Sequence, residues 1–223
     1  MYESLLSLPY FQGMSRDDIT AILGKTTFEF KKYTEGDTVY SKGDKCDHFA
    51  ILTSGTLSCC HTSPDGTYSI KEQIPPPYAI EPYSLFGYDT TFKCSYTASD
   101  NCTILTIAKQ YLFTEFNRHD IFTINFLNLI SRRAQKSSEL IWNNTPVSIT
   151  GRIVQFIAMR CETQSGIKQI SIKMERLAAI LCETRLNISK ALNELQERGL
   201  IELHRGTISV QSLQRLISET RGQ

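Results

Sequence analysis

No apolar run in this sequence is long enough to span a bilayer. Its start, "MYESLLSLPYFQG", lacks the basic residues and cleavage site of a secretory signal. C-x-x-C pairs are missing as well. The seven cysteines are Cys46, Cys59, Cys60, Cys94, Cys102, Cys161 and Cys182. Odd in number and scattered, they argue against a disulfide framework and a zinc ribbon, so no metal site is assigned. G-x-S-x-G, H-E-x-x-H, P-loop and dinucleotide fingerprints are all absent, and no room remains for a catalytic domain; an enzyme is not expected. These absences lead us to expect a cytoplasmic protein with reduced thiols and no membrane partner.

A large excess of either charge is lacking too: the net charge is +1. That balance conceals an asymmetry. Residues 1–142 hold 13 Lys+Arg against 16 Asp+Glu, while residues 143–223 hold 11 against 7. A mildly basic C-terminal part is compatible with nucleic acid. With 223 residues, 41% hydrophobic and 21% charged, the chain has the composition of a globular protein of one or two domains.

"SRDDITAIL" reads as a short helix capped by Ser15, with Ile19, Ile22 and Leu23 on one face. From Phe28 to Ile107, short runs rich in Val, Ile, Tyr, Phe and Thr alternate with turn signals. These fall at Glu35-Gly36-Asp37, Lys42-Gly43-Asp44, Ser54-Gly55 and Pro64-Asp65-Gly66. The spacing predicts a sandwich or jelly roll, with Asp65-Gly66 as the clearest hairpin. "IPPPY", Ile74 to Tyr78, breaks the pattern because it fits neither a helix nor a central strand.

Asp120 to Trp142 reads as one long helix without Gly or Pro. Leu127, Ile130, Ala134, Ser137 and Ile141 recur in steps of three and four, the coiled-coil period, and are the candidate dimer interface. The alternative is a helix packed on its own β domain. "NNTPVS", Asn143 to Ser148, is a hinge by composition. The expected organisation is therefore a β domain at 1–119, a long dimerisation-type helix and hinge at 120–146, and a further domain at 147–223.

The last part opens with the helix "SITGRIVQFIAMRC", burying Ile149, Ile153, Phe156 and Ile157. A short strand at Ile170–Ile172 and a helix at Met174–Leu181 follow. A tight turn at Cys182–Glu183, a second helix, and a hairpin through Arg205-Gly206 complete the grammar of a winged helix-turn-helix. Thr184 caps the second helix, with Asn187 rather than Glu or Gln at the reciprocal position, so the capping box is half present. Ile188, Ala191, Leu192 and Leu195 form its buried stripe. Leu186 falls on the opposite side with Lys190 and Asn193, on an exposed face that also carries Arg185 and Ser189; with Thr184 and Asn187 at the start of the helix these are the candidate DNA-binding residues. Arg and Lys donate to guanine N7 and O6, Ser bonds several base edges, and an apolar side chain meets a thymine methyl. His204 and Arg205 at the hairpin tip suit phosphate contact.

In this order, the β domain, long helix and winged module resemble the Crp/Fnr family of bacterial transcription regulators over essentially the whole chain. The resemblance is most specific in "GDTVYSKGDKCDHFAILTSGTLSC" (Gly36 to Cys59), "TGRIVQFI" (Thr150 to Ile157) and "LAAILCETRLNISKALNELQERGLIELHRGTISV" (Leu177 to Val210). It implies an α+β protein: an N-terminal jelly roll of the cyclic-nucleotide-binding kind, a dimerisation helix and a winged helix-turn-helix. It also implies a homodimer on a pseudo-palindromic double-stranded operator, with RNA polymerase as a partner for an activator. Arg185, Leu186 and Lys190 occupy the recognition helix's principal base-reading places. Many members carry Glu at the position of Leu186 and Arg at that of Lys190, which implies a different operator here.

Members that bind cyclic nucleotides use Gly-Glu-Leu and, several residues on, Arg-Ser/Thr-Ala. Here the segment reads "IEPYSLFGYDTTFKCSYTASDNC", Ile80 to Cys102. Pro82 stands where Glu belongs, and no arginine lies between Arg16 and Arg118. Lys93, the segment's one cation, supplies charge without the bidentate fork. Cyclic AMP is therefore disfavoured. The candidate effector pocket comprises Pro82, Tyr83, Leu85, Phe86 and Lys93, with Ser137 and Ser138 where the family's long helix presents hydroxyls. No iron–sulfur cluster is expected, since the first cysteine is Cys46. Haem, through His48, His61 or His119, is a weak alternative. A redox role for Cys59-Cys60 is weaker still, because adjacent strand residues point to opposite faces. The effector is thus an unidentified small molecule. The competing class is a dimeric sensor acting on a protein partner, which would favour a neutral or acidic face on the second helix.

Overall fold

In the computed structural model, residues 5–6, 8–142 and 148–220 are described, the side chains of 140–142 excepted. The expected hinge, Asn143 to Pro146, and the side chain of Ile141 lie outside the described residues. No described helix is long and apolar enough to cross a membrane. Contacts divide the chain into two compact units that cut across chain order. One unit is Met1–Thr56, Pro75–Lys93 and Thr97–Ile141; the other is Leu57–Ile74, Cys94–Tyr96 and Trp142–Gln223.

The first unit holds α1 (Arg16–Leu23) and the short strand β2 (Thr38–Tyr40). Ser15 accepts from the Asp18 amide at 3.1 Å and Asp18 reciprocates on the Ser15 amide, so the capping box is complete. Its antiparallel sheet runs β1 (Phe28–Tyr33), β8 (Cys102–Ala108), β3 (His48–Ser54) and β6 (Tyr78–Ile80). Phe28 and Phe49 both pair with Ile107. Phe49, Ala50, Ile51 and Leu52 are all buried, so this central strand shows no alternation. The turns predicted at Gly36, Gly43 and Gly55 have positive φ. Gly55 is also required sterically: a Cβ there would lie 2.4 Å from the Asn101 carbonyl oxygen.

α2 (Lys109–Thr114) leads to α3 (Asp120–Trp142), as expected from its unbroken helical pattern. One face of α3 packs on its own unit: Phe122 is buried with its ring tilted against Phe116 at 4.5 Å between centres, and Phe126 meets Phe49 edge-on at 5.5 Å. The other face is bare. Ile124 and Leu127 are each 57% exposed, Ile130 is half-buried, and Ala134 and Ser137 are exposed.

In the second unit the hairpin β4 (Leu57–Thr62) and β5 (Tyr68–Ile74) joins the C-terminal module in one antiparallel sheet. Its order is β10 (Glu202–His204), β11 (Thr207–Val210), β9 (Lys168–Ile172), β5 and β4, with β7 (Ser95–Ala98) beside β4. Register places His61, Ile70, Ile170 and Ile208 in one row and Cys59, Glu72, Lys168 and Val210 in another row of the same face. Ile70, Ile170 and Ile208 pack with Phe156 and Ile157 of α4 (Ile149–Arg160), and with Ile188, Leu192 and Leu195 of α6 (Arg185–Glu197). α5 (Met174–Ile180) and a final helix, α7 (Leu213–Thr220), complete the unit.

Candidate nucleic-acid interface and effector segment

The helix-turn-helix is built by α5, a turn through Cys182, and α6. Cys182 takes a left-handed backbone, φ 52, and the Glu183 amide closes the turn on the Ala178 carbonyl at 2.9 Å. Thr184 caps α6, its hydroxyl accepting from the Asn187 amide at 3.2 Å. The Asn187 side chain donates to Glu183 Oε2 at 3.2 Å instead of reaching back to the cap. Arg152 of α4 completes the brace by donating to the Leu181 carbonyl at 3.0 Å and to Glu183 Oε1. With the Asn187 amide first and the Arg152 guanidinium beside it, the Glu183 carboxyl is held below the usual carboxylate range. The turn is fixed before anything binds it.

α6 buries Ile188, Ala191, Leu192 and Leu195, the expected stripe. Its outer face presents Leu186, 64% exposed, in line with Lys190 and Asn193, and Arg185 beside Ser189. Arg185 makes a 3.4 Å ion pair with Glu175 in which both side chains are largely exposed, a contact worth little in water. At the hairpin tip, His204, Arg205 and Gly206 are exposed, and Gly206 takes φ 76. The fold thus brings together Arg185, Leu186, Ser189, Lys190 and Asn193. Thr184 and Asn187 are engaged in shaping the turn.

In the effector segment, Pro82 and Leu85 are buried and Tyr83 and Phe86 are half-buried. Lys93 turns its ammonium to Asp89 and Thr91 at the surface. Ser137 and Ser138 are exposed. The residue that sequence reasoning passed over is Glu81. Its backbone is left-handed, φ 37, and its carboxylate is fully buried. Glu81 Oε2 accepts from the Ser84 hydroxyl at 2.9 Å and from the Lys93 amide at 2.8 Å. A charged residue inside the apolar run "YAIEPYSLF" was the available signal. The fold also brings an arginine from outside the segment: the Arg133 guanidinium of α3 lies 4.3 Å from the Tyr83 ring centre. Of the weak haem candidates, His48 contacts Asp47 and His119 lies 3.2 Å from Asp18.

Comparison with known proteins bears on this geometry. The family model for the cyclic nucleotide-binding domain matches residues 30–119, and that for the Crp-like helix-turn-helix domain matches residues 151–219. The chain belongs to the Crp/Fnr family of transcription regulators. Among curated relatives, the CRP-like cAMP-activated global transcriptional regulator of Mycobacterium tuberculosis is 23% identical over 99% of this chain and 100% of its own length. The cyclic AMP receptor protein of Thermus thermophilus is 20% identical over 91% of this chain and 92% of its own. The crystal structure of the Thermus thermophilus catabolite activator protein superposes with a TM-score of 0.50 at 17% identity, covering 95% of this chain and 99% of that one. As a Crp/Fnr member this protein is a DNA-binding transcription regulator.

Proposed function

We propose that this Crp/Fnr protein acts as a homodimer that reads a pseudo-palindromic operator with the outer face of α6 and answers to a small molecule other than cyclic AMP. The observation that carries the DNA-reading part is Leu186, exposed between Arg185 and Lys190 on a helix whose turn is braced from three sides. An exposed leucine contributes nothing to the fold there, whereas on a base-reading face it meets a thymine methyl. The bare apolar stripe of α3 supports pairing with a second copy, which would set two recognition helices about one duplex turn apart.

The effector reading rests on Glu81. A cyclic phosphate needs donors and positive charge, but the Ser84 hydroxyl and the Lys93 amide of this turn already donate to Glu81 Oε2. Those two donors are therefore engaged within the turn and not offered to a phosphate. The relatives whose names describe them as cAMP-activated or as a cyclic AMP receptor favour the opposite reading, at 20–23% identity.

Two measurements test the proposal. Selection of DNA from a random pool should return inverted half-sites; a single asymmetric half-site would overturn the dimeric reading. Thermal melting with cyclic AMP should leave the midpoint unchanged, because only a ligand that binds the folded state raises it. A clear upward shift would overturn the effector argument. RNA polymerase would be a further partner if the protein activates.

A further inference from the structure

Independently of the effector reading, we infer that Cys59, His61, Cys94 and Glu162 form a binding site for one divalent transition-metal ion, with zinc as the best match to their chemistry. Cys59 and His61 lie two residues apart on β4 and so share a face, while Cys94 comes from the residue preceding β7 beside it. One ligand atom from each lies within 4.8 Å of the others. His61 Nε2 is 3.2 Å from Cys94 Sγ and 3.4 Å from Glu162 Oε1. A tetrahedral site with metal–nitrogen and metal–oxygen bonds of about 2.0–2.2 Å and metal–sulfur bonds of about 2.3 Å places neighbouring donors roughly 3.3–3.8 Å apart. His61 already stands near that spacing from Cys94 and Glu162, and Cys59 lies within the 4.8 Å reach of His61 and Cys94. Cys59 and Cys94 are buried, and Glu162 is 7% exposed. His61, at 29%, lies on the side from which an ion would enter.

The fourth donor is held in place by its own supporting contacts. The Glu162 amide donates to Glu72 Oε1 at 2.8 Å, and Glu72 is paired with Lys168. Gly166 lets the same loop lie against β5: a Cβ there would sit 2.0 Å from the Gln73 carbonyl oxygen. Two thiolates, an imidazole and a carboxylate are a borderline-soft set that suits zinc better than magnesium or calcium. On binding, the two thiols release their protons to solvent and the sulfurs become the metal's ligands. Two donors come from β4, one from the residue before β7 and one from the junction between α4 and β9, so occupancy ties that junction to β4. Cys60 points to the other face and is a built-in control.

The test is a Co2+ titration of the reduced full-length protein, with thiols counted beforehand. One equivalent should bind, with the thiolate-to-cobalt charge-transfer band and the intense visible bands of a tetrahedral site, and Zn2+ should displace it. Cys59→Ser and Cys94→Ser should weaken binding by more than the roughly 100-fold seen when supporting residues are lost. Glu162→Gln should keep the charge-transfer band and shift the visible ones, and Cys60→Ser should change nothing. Circular dichroism separates loss of the site from loss of the fold, and the wild-type titration is decisive on its own. Absence of the bands in protein whose thiols count as reduced would overturn the site. So would unaltered affinity in folded Cys94→Ser. A Cys59–Cys94 disulfide that forms readily, with no cobalt bound after reduction, would replace it by a redox pair.

Discussion

Glu72 on β5 and Lys168 on β9 stand opposite one another in register, and their side chains meet at 2.9 Å with neither exposed to solvent. Lys168 also donates to Thr163 Oγ1 at 2.9 Å and to the Ser165 carbonyl at 2.7 Å, so both charges are satisfied. Removing one partner leaves the other charge buried and alone. Lys168→Ala should lower unfolding stability by about 3–5 kcal/mol. Replacing both by Met should recover part of that loss, but not all, because the Glu162 amide then has no carboxylate to bond. Urea denaturation of the full chain reads this; a Lys168→Ala transition coincident with wild type would show that the pair contributes nothing.

That pair also marks where the sequence stopped being legible. The turns, the long helix, the α6 stripe and the winged order were readable because each is a local pattern: glycine at positive φ, or apolar spacing of three and four. The capping box at Ser15 is readable only in part, since its reciprocal partner is Asp18 where the usual pattern has Glu or Gln. The helix Leu213–Thr220, only about two turns long, is too short for its apolar spacing to stand out. Non-local pairing defeats this kind of reading altogether. Nothing in "SIKEQ" and "IKQIS" says that β5 and β9 share a sheet, so Glu72 and Lys168 read as ordinary surface charges. The same holds for Cys59, His61 and Cys94, where C-x-H on a strand was the one local hint and the third donor lies 33 residues beyond His61.

The reading face of α6 should separate from its folding face. Leu186→Ala removes an exposed side chain, so its effect on stability should stay within about 0.5 kcal/mol. Its loss of operator affinity should fall on sequences with thymine at one position per half-site. Arg185→Ala should abolish specific binding while gel filtration still reports the wild-type oligomer. Each good base contact is worth roughly 1–3 kcal/mol of discrimination. A Leu186→Ala protein that binds every operator variant as wild type does would remove leucine from the reading face.

The Glu183 brace carries a pH signature. Its carboxyl is held below the usual range, by the Asn187 amide first and by Arg152 after it. A depressed carboxylate contributes stability that is fully present above its unfolded pKa and is lost as pH falls through the folded value. The gap in melting temperature between wild type and Glu183→Gln should therefore be constant between about pH 5 and 8. It should close only in acid. A gap that changes through neutrality would point to a different titrating group, and an absent gap would show that the brace is not needed.

The exposed stripe of α3 makes the last case. Phe122 and Phe126 satisfy one face of the helix within its own unit, so the helix does not need Ile124 or Leu127 to stay folded. Both are nonetheless left more than half exposed, one turn apart, with the smaller Ala134 and Ser137 continuing the line. A charge at the stripe costs little in a monomer but is buried without a partner in a helix pair. Leu127→Asp should therefore leave the circular dichroism spectrum unchanged and convert the protein to a monomer in sedimentation. Operator binding should collapse with it, because each half-site is then held separately. If Leu127→Asp sediments as wild type does, α3 does not pair through this face, and the two recognition helices must be spaced by other residues.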